Sequence, residues 1–206
     1  MYLNTFKSAF LSVLQYIHEV EKLKCNLAEQ LTISEEDWLT IKNRFMNLSC
    51  KKSEILTRQG EIENRLFFIN NGIVRLHHET NEKDITVNFA FPESFVSAYT
   101  SFLTNQPSEF AIEALTACEF VYITRDDLFK LYAETSCGQA LGRIFSERLF
   151  LYLSKRENDF MLKSPTERYL ALFEEQPHLI QQIPQKYLSS YIGITPQALS
   201  RIRAKI

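Results

Sequence analysis

The residues with the clearest chemical potential lie near the end of the sequence. Gln197 and Arg201 stand four positions apart, so they share one face of a helix. A glutamine amide and an arginine guanidinium can form paired hydrogen bonds with adenine and guanine edges in the major groove of DNA. Thr195 stands at the start of the same predicted helix, where its hydroxyl and the unpaired backbone N–H groups are suited to a phosphate. The pattern predicts a helix face that contacts DNA.

Further polar and cationic side chains surround this pair. Ser200 and Lys205 are predicted to share its outward face. Three cations are predicted to contact phosphates without reading the base sequence: Lys186, Arg203 and Lys205. From Lys163 onward there are six Lys and Arg against three Asp and Glu, in a chain of net charge −2, which favours an anionic partner at this end. The alternative interpretation is a solvated, charged face on an ordinary helical hairpin.

The spacing of residues around Gly193 predicts the elements that must hold this face. Gln185 to Tyr191 are predicted to form one helix, Gly193 to reverse the chain through positive φ, and Thr195 with Pro196 to begin a second helix. Small Ser189 stands where the two helices nearly touch. The positions between the helices are apolar: Leu188, Ile192, Ile194, Leu199, Ile202 and, at the end of the stripe, Ile206. This agreement predicts a helix-turn-helix.

A long helix is predicted over Ser136–Leu162, which contains no proline and more apolar residues than one stripe can hold. We expect one of its faces to pack on the body of the protein and another to form a dimer seam with a second copy. The predicted seam is Leu141, Ile144, Arg148 and Leu151. The alternative is a helix buried within a monomer.

A shorter helix is predicted directly after the long one. Ser164, Pro165 and Glu167 stand in the order N-cap, N1 and N3, which starts a helix that runs to about Gln176. Pro177 and Pro184 bound the short segment that follows it.

The middle of the chain predicts strands, because between Glu54 and Thr124 the hydrophobic period changes to two. Five short segments are separated by turn residues: Arg65–Ile69, Ile73–His77, Ile85–Phe91, Phe110–Leu115 and Phe120–Thr124. Their even spacing indicates a small antiparallel roll or sandwich. Asn71-Gly72 is predicted as a hairpin turn, because both residues tolerate positive φ.

Two helices are predicted before the strands. Apolar residues from Phe6 to Leu23 recur at helical spacing. A second helix is predicted to start at the capping residue Ser34. Its inner face is predicted to contain Trp38, Ile41, Phe45 and Leu48.

Composition excludes several classes of protein. The chain has 206 residues, of which 45% are hydrophobic and 23% charged, so disorder is excluded. The longest apolar run, Leu149–Leu153, is far shorter than the roughly 20 residues that cross a bilayer, and no cleavable leader is recognised. Four separated cysteines have no spacing for zinc or an iron–sulfur cluster and are interpreted as reduced thiols. We expect a soluble, cytoplasmic protein without a cofactor or a membrane partner.

An enzyme is not expected. A metal-binding roll needs two histidines on one face of a strand, whereas His77 and His78 are adjacent and would point to opposite faces. The sequence contains no nucleophile elbow, phosphate-binding loop or HExxH motif. We therefore predict neither catalytic residues nor a metal site.

The order of these elements resembles the Crp/Fnr family of bacterial transcription regulators, and the short ending is similar to its Bacteroidetes-type members. Local matches are Gln59-Gly60-Glu61, the segment Phe67–Val74, Thr116–Glu119 and Leu199–Ile202. The resemblance implies an α+β fold with N-terminal helices and a jelly roll like that of cyclic-nucleotide-binding domains (1–135). It further implies a long dimerisation helix (136–162) and a C-terminal helix-turn-helix (163–206). Since the sequence ends at Ile206, we expect this winged-helix-like unit to lack its wing.

The resemblance also identifies where a ligand would bind in the roll. Family members that bind cyclic nucleotides have a Gly-Glu pair for the ribose and an Arg-Ser/Thr pair for the phosphate. The corresponding pairs here are Ser97-Ala98 and Ser108-Glu109. Without the guanidinium, and with a carboxylate beside the phosphate position, cyclic AMP binding in the family's mode is not expected. The roll could hold another effector or none.

Together these features predict a homodimeric, DNA-binding transcription regulator whose partners are double-stranded DNA and an effector of unknown identity. The alternative is a ligand-sensing or protein-interaction module without sequence-specific DNA binding.

Overall fold

The structure, a computed structural model, describes residues 20–205. The first part of the helix predicted from Phe6 to Leu23, and the predicted inward residue Ile206, lie outside the described residues. Helix α1 occupies residues 20–28 and packs Val20, Leu23 and Leu27 into the core.

Helix α2 (Glu35–Lys42) begins where the sequence predicts. The Ser34 hydroxyl accepts a hydrogen bond from the Asp37 N–H at 3.1 Å, which satisfies one of the unpaired donors at the helix start. Trp38 and Ile41 are buried against the roll. Two of the four residues predicted for the inner face, Trp38 and Ile41, therefore pack as expected.

The prediction that Phe45 and Leu48 extend the same helix was wrong. The helix ends at Lys42, and Leu48 belongs to strand β1 (Met46–Cys50). Phe45 still joins the core next to α2, but from the connecting segment. β1 pairs with a strand more than 60 residues away, as in Leu48 opposite Phe120, and this long-range pairing overrides the local helical spacing.

Two four-stranded antiparallel sheets form the body of the molecule, which confirms the predicted α+β class and antiparallel roll. The strands that follow β1 are β2 (Ile55–Thr57), β3 (Arg65–Asn71), β4 (Val74–Glu79), β5 (Asp84–Ala90), β6 (Phe95–Val96), β7 (Ala111–Ala114) and β8 (Cys118–Thr124). The first sheet has the order β1-β8-β3-β6 and the second β2-β7-β4-β5. Apolar side chains from both sheets, including Phe67, Ile112 and Phe120, fill the space between them.

Asn71-Gly72 is not a hairpin turn, contrary to the prediction. β3 pairs with β6 and β8, whereas β4 pairs with β5 and β7, so the chain passes from one sheet to the other at this point. Gly72 has a φ of +98°, and a Cβ there would lie 2.4 Å from the Cys118 Sγ. Asn71 is the last residue of β3 and is not among the residues with positive φ. The glycine is required by a close crossing rather than by strand pairing.

Helices follow the strands and connect the roll to the C-terminal part. A short helix α3 (Tyr99–Thr104) lies between β6 and β7, and α4 (Arg125–Glu134), which the sequence analysis did not predict, follows β8. The predicted long helix is α5 (Gly138–Leu162). The C-terminal helices are α6 (Pro165–Glu175), α7 (Pro177–Gln182), α8 (Gln185–Ile192) and α9 (Pro196–Arg203).

The C-terminal helices share a hydrophobic core with the roll. Ile73 and Phe89 of the roll belong to the same cluster as Leu188 and Ile192 of α8 and Leu199 of α9. α6 starts with the predicted capping box, in which Ser164 and Glu167 satisfy each other's backbone N–H groups. The C-terminal block is therefore docked on the roll by apolar contacts.

Candidate nucleic-acid interface and ligand cavity

α8 and α9 form two helices joined by a tight turn. Gly193 caps α8 with a φ of +82°, and the Ile194 N–H donates to the Ser189 carbonyl at 3.0 Å. Thr195 caps α9 by accepting a hydrogen bond from the Ala198 N–H at 3.2 Å. Ser189 is buried where the helices approach each other. The sequence therefore predicted both the turn and the residues that make it.

The outward face of α9 is polar and exposed. The exposed side chains of α9 are Gln197, Ser200, Arg201 and Arg203, with exposed Thr195 at its N-cap. Lys205, predicted to share this face, is exposed but lies in the turn after the helix, which ends at Arg203. Gln185 of α8 donates to the Ser200 hydroxyl at 2.6 Å and to the Pro196 carbonyl at 3.2 Å, which fixes the angle between the two helices. Buried Leu199 holds α9 against the protein from its other side. This arrangement presents two cations in the last turn, Arg201 and Arg203.

Lys186 of α8 pairs with an acidic residue of the roll. Its Nζ is 3.8 Å from the Asp84 Oδ2 at the start of β5, so α8 turns this residue toward the roll. Along the same edge, the Ser190 hydroxyl accepts from the Thr86 N–H at 2.9 Å and donates to the Asp84 carbonyl at 3.1 Å. β5 is an edge strand of its sheet, so Ser190 satisfies backbone groups that no neighbouring strand pairs. The sequence analysis missed this interface.

A charged cluster lies beneath the same interface. The Arg75 guanidinium, only 2% exposed as a residue, bonds the carboxylates of Asp84 at 2.8 Å and Glu113 at 2.8 Å. The Tyr187 ring of α8 covers it at 3.9 Å. Burial and the nearby Arg75 charge lower the pKa of His77, which keeps this buried imidazole neutral at pH 7. Tyr187 links this cluster directly to the first helix of the C-terminal pair.

Helix α5 has an apolar surface without a cover in the described chain. Gly138 is its one fully buried residue, whereas Leu151 of the predicted seam is 66% exposed. Of the other predicted seam residues, Arg148 is exposed, Ile144 is half-buried, and Leu141 packs partly against the roll core. Further exposed apolar residues of the helix are Phe150, Leu153, Met161 and Leu162.

The roll contains a cavity of about 500 Å³ beside α5. All four residues predicted for the ligand site line it: Ser97, Ala98, Ser108 and Glu109. The sequence analysis missed the far wall, which α5 supplies through Phe145, Leu149, Tyr152, Leu153 and Arg156. The apolar face predicted for the long helix beside the roll was the one sequence feature that pointed to this wall. The local pattern did not show which residues of the helix would reach the cavity.

Tyr152 joins the cavity to the C-terminal block. Its hydroxyl donates to the Asn88 Oδ1 at 2.5 Å, and Asn88 lines the cavity from β5. The same hydroxyl lies 3.3 Å from the Tyr191 hydroxyl of α8. Burial raises the pKa of Tyr152, so the phenol stays protonated. Arg156, one turn further along α5, stacks on the Tyr191 ring at 4.0 Å.

Comparison with known proteins identifies what the roll is similar to. Residues 47–135 match the family model of the cyclic nucleotide-binding domain. The matched segment corresponds to the roll with α3 and α4. No curated protein matches the chain.

Three solved structures share the fold over most of their length. FixK2 from Bradyrhizobium japonicum matches with a TM-score of 0.65 and 16% identity, over 78% of this chain and 83% of that chain. The c-di-GMP responsive global regulator CLP of Xanthomonas campestris matches with a TM-score of 0.63 and 16% identity, over 84% of this chain and 91% of that chain. The catabolite activator protein of Thermus thermophilus matches with a TM-score of 0.54 and 17% identity, over 84% of this chain and 83% of that chain. The chain also spans 42% of a cAMP-bound PfPKA-R chain, with a TM-score of 0.49 and 19% identity.

Three further observations concern the described part of the chain. No helix within residues 20–205 combines the length and apolarity needed to cross a membrane. The same residues contain no group of three or more His, Cys, Asp or Glu that could hold a metal ion. The four cysteines are free thiols.

Proposed function

We propose that this chain is a homodimeric, DNA-binding transcription regulator of the Crp/Fnr type. The observation that carries the proposal is the α9 face, on which Gln197 and Arg201 stand one turn apart, exposed, on a helix anchored by buried Leu199. Such a helix fits the major groove, where paired hydrogen bonds from these side chains read purine edges. The similarity of most of the chain to FixK2 and to the global regulator CLP supports this proposal.

The unpartnered side of α5 supports dimerisation through a second copy. Leu151 and Leu162 are exposed, and they lie near one line with Ile144 because the separations of 7 and 11 residues are close to whole numbers of helical turns. A two-fold dimer would place both α9 helices in successive major grooves about 34 Å apart on a near-palindromic site. Replacing Leu151 by glutamate is expected to yield monomers in analytical ultracentrifugation, whereas Leu39→Glu, on exposed Leu39 of α2, is expected to leave the dimer intact.

Control by the roll is expected to pass through α5 and α8. The Tyr152 hydroxyl of α5 contacts both Asn88 in the cavity wall and the Tyr191 hydroxyl of α8. A ligand that moves one of these three residues would therefore change the packing of the other two. A ligand acts only through its different affinities for two arrangements of the protein. The cavity is in contact with the structural elements that such a change would move.

DNA binding is tested with a sequence selected from random duplexes. Arg201→Ala is expected to weaken specific binding by about 1–3 kcal/mol and to relax the preference at one base position. Arg143→Ala is the control, because Arg143 is an exposed arginine of α5 that pairs with Glu147. An equal loss on all sequences would instead assign Arg201 to the phosphate backbone.

Salt dependence separates this proposal from its rival, a protein-interaction module that docks a partner through the exposed apolar residues of α5. Binding to phosphates releases counterions, so affinity for DNA should fall steeply as salt rises. Undetectable or salt-insensitive DNA binding would favour the interaction module.

A further inference from the structure

The roll cavity has a lining that differs from a site for an anion. Its walls are mostly apolar, with Leu76, Val87, Phe95, Val96, Phe145 and Leu149 among the lining residues. At about 500 Å³ it lies within the range of sites that enclose a small organic molecule. The size of the cavity therefore fits a ligand, and the chemistry of its walls decides which one.

Several hydroxyl groups in the lining already donate to backbone carbonyls of the protein. Ser97 donates to the Arg65 carbonyl at 2.9 Å, and Ser108 donates to the Phe110 carbonyl at 2.7 Å. Thr104 likewise donates to the Thr100 carbonyl at 2.7 Å. A hydroxyl has one proton to donate, so binding a phosphate oxygen here would break an existing hydrogen bond. The lining thus offers these donors to the backbone rather than to a ligand.

The charges around the cavity also disfavour an anion. Glu109 places a carboxylate at the exposed mouth, next to Ser108. Among the described residues that line the cavity, Arg156 is the one cation; it donates to the Tyr191 carbonyl at 3.3 Å and stacks on the Phe160 ring at 5.0 Å. Its guanidinium keeps further N–H donors, but the positive charge of Arg156 is matched by the negative charge of Glu109, so the lining offers an anion no net positive charge.

We infer that the cavity binds an uncharged, mostly apolar small molecule and not a cyclic nucleotide. This inference supplies the effector class for the regulator proposed above and rests on that proposal only for its biological role. Apolar ligands gain affinity by leaving water for an apolar cavity, which the walls described here provide. The absence of charge avoids repulsion by Glu109.

Isothermal titration calorimetry on the full-length protein tests the inference with three probes: 1-decanol, decanoate and cyclic AMP. We expect 1-decanol to bind with one molecule per chain, decanoate at least about tenfold more weakly, and cyclic AMP undetectably. Cyclic AMP or decanoate binding more tightly than 1-decanol would overturn the inference, and so would the failure of 1-decanol to bind at one per chain.

Two substitutions locate the binding. Leu149→Trp adds bulk at the cavity wall and should weaken 1-decanol binding at least about tenfold, whereas Phe150→Trp, on the exposed neighbour, should not. Equal effects of the two would place the probe elsewhere and overturn the inference.

Glu109→Gln keeps the cavity intact and should bring the affinity for decanoate closer to that for 1-decanol; unchanged discrimination would contradict the role given to Glu109. The calorimetry contains no DNA, so its failure leaves the DNA-binding proposal standing, and failure of DNA binding leaves the cavity result standing.

Discussion

Replacing Ser190 by alanine is expected to loosen α8 from the β roll. The Ser190 hydroxyl accepts from the Thr86 N–H at 2.9 Å and donates to the Asp84 carbonyl at 3.1 Å, and Thr86 is only 1% exposed. A hydrogen bond of this kind contributes about 1 kcal/mol net, so the loss of both amounts to about 2 kcal/mol. If this free energy is lost from the contact between α8 and the roll, the local opening that exposes the Thr86 amide becomes about 30-fold more frequent.

Hydrogen exchange measured by NMR reads this opening directly at the Thr86 amide. The matched control is Ser189→Ala in the same helix, because the Ser189 hydroxyl donates to the Lys186 carbonyl within α8 and does not reach the roll. We expect the control to change the exchange of Thr86 less than about threefold, equivalent to less than about 0.7 kcal/mol. Unchanged exchange in Ser190→Ala, or equal acceleration in both variants, would refute the docking of α8 on β5.

Three further predictions concern stability, measured by urea denaturation. Gly193→Ala should lower the free energy of unfolding more than Gly60→Ala. Both glycines have positive φ, for which alanine costs about 1–2 kcal/mol, but of the two only Gly193 would bring its new Cβ against a side chain, at 2.8 Å from Phe160. Equal losses of stability in the two variants would contradict this packing. The pKa of His77 is lowered by burial, so the unfolded chain takes up its proton first and stability falls as pH drops through about 6.5. His77→Gln should reduce this slope while His78→Gln retains it, and the reverse result would reject the assignment. Tyr152→Phe should lower the free energy of unfolding by about 1 kcal/mol at pH 7, because a hydrogen bond is lost. The wild-type protein should lose stability above about pH 10, because the raised pKa of Tyr152 means that this phenol ionises first in the unfolded chain, and Tyr152→Phe should show less of this loss. An unchanged alkaline loss of stability in the variant would count against this role of Tyr152.

The C-terminal pair of helices could be predicted in detail because its rules are local. Gly193 must reverse the chain, Ser189 must be small, and Thr195 must cap the next helix, and each of these requirements concerns neighbours within a few residues. The capping box at Ser164 was predictable for the same reason. Backbone geometry at a helix end depends on the residues beside it.

The missed strands and the wrong turn depend on distant partners. β2 and β6 have three and two residues, too few for a pattern to show, and both are held by strands elsewhere in the chain. Asn71-Gly72 is a favourable hairpin sequence, yet β3 and β4 join different sheets, because β3 pairs with β6 and β8 whereas β4 pairs with β5 and β7. Turn chemistry indicates that the chain bends, but it does not determine what the next strand pairs with.

The candidate sites divide in the same way. The exposed face of α9 follows from helical periodicity, so Gln197 and Arg201 could be placed from sequence alone, whereas Lys205 lies beyond the end of the helix. The contact of Lys186 with Asp84 could not, because it depends on how α8 docks on an edge strand roughly 100 residues earlier. The contact between Tyr152 and Asn88 is equally long-range.

Selection of bound sequences from random duplex DNA, with the 206-residue chain at moderate salt, asks whether the α9 face reads DNA. We expect enrichment of two inverted half-sites whose centres are about 10 base pairs apart, read by the α9 helices of a dimer. Arg201→Ala should shift the preference at one position within each half-site. No enriched sequence, or the same enriched sequence with unchanged preference in Arg201→Ala, would contradict the claim that the α9 face reads DNA.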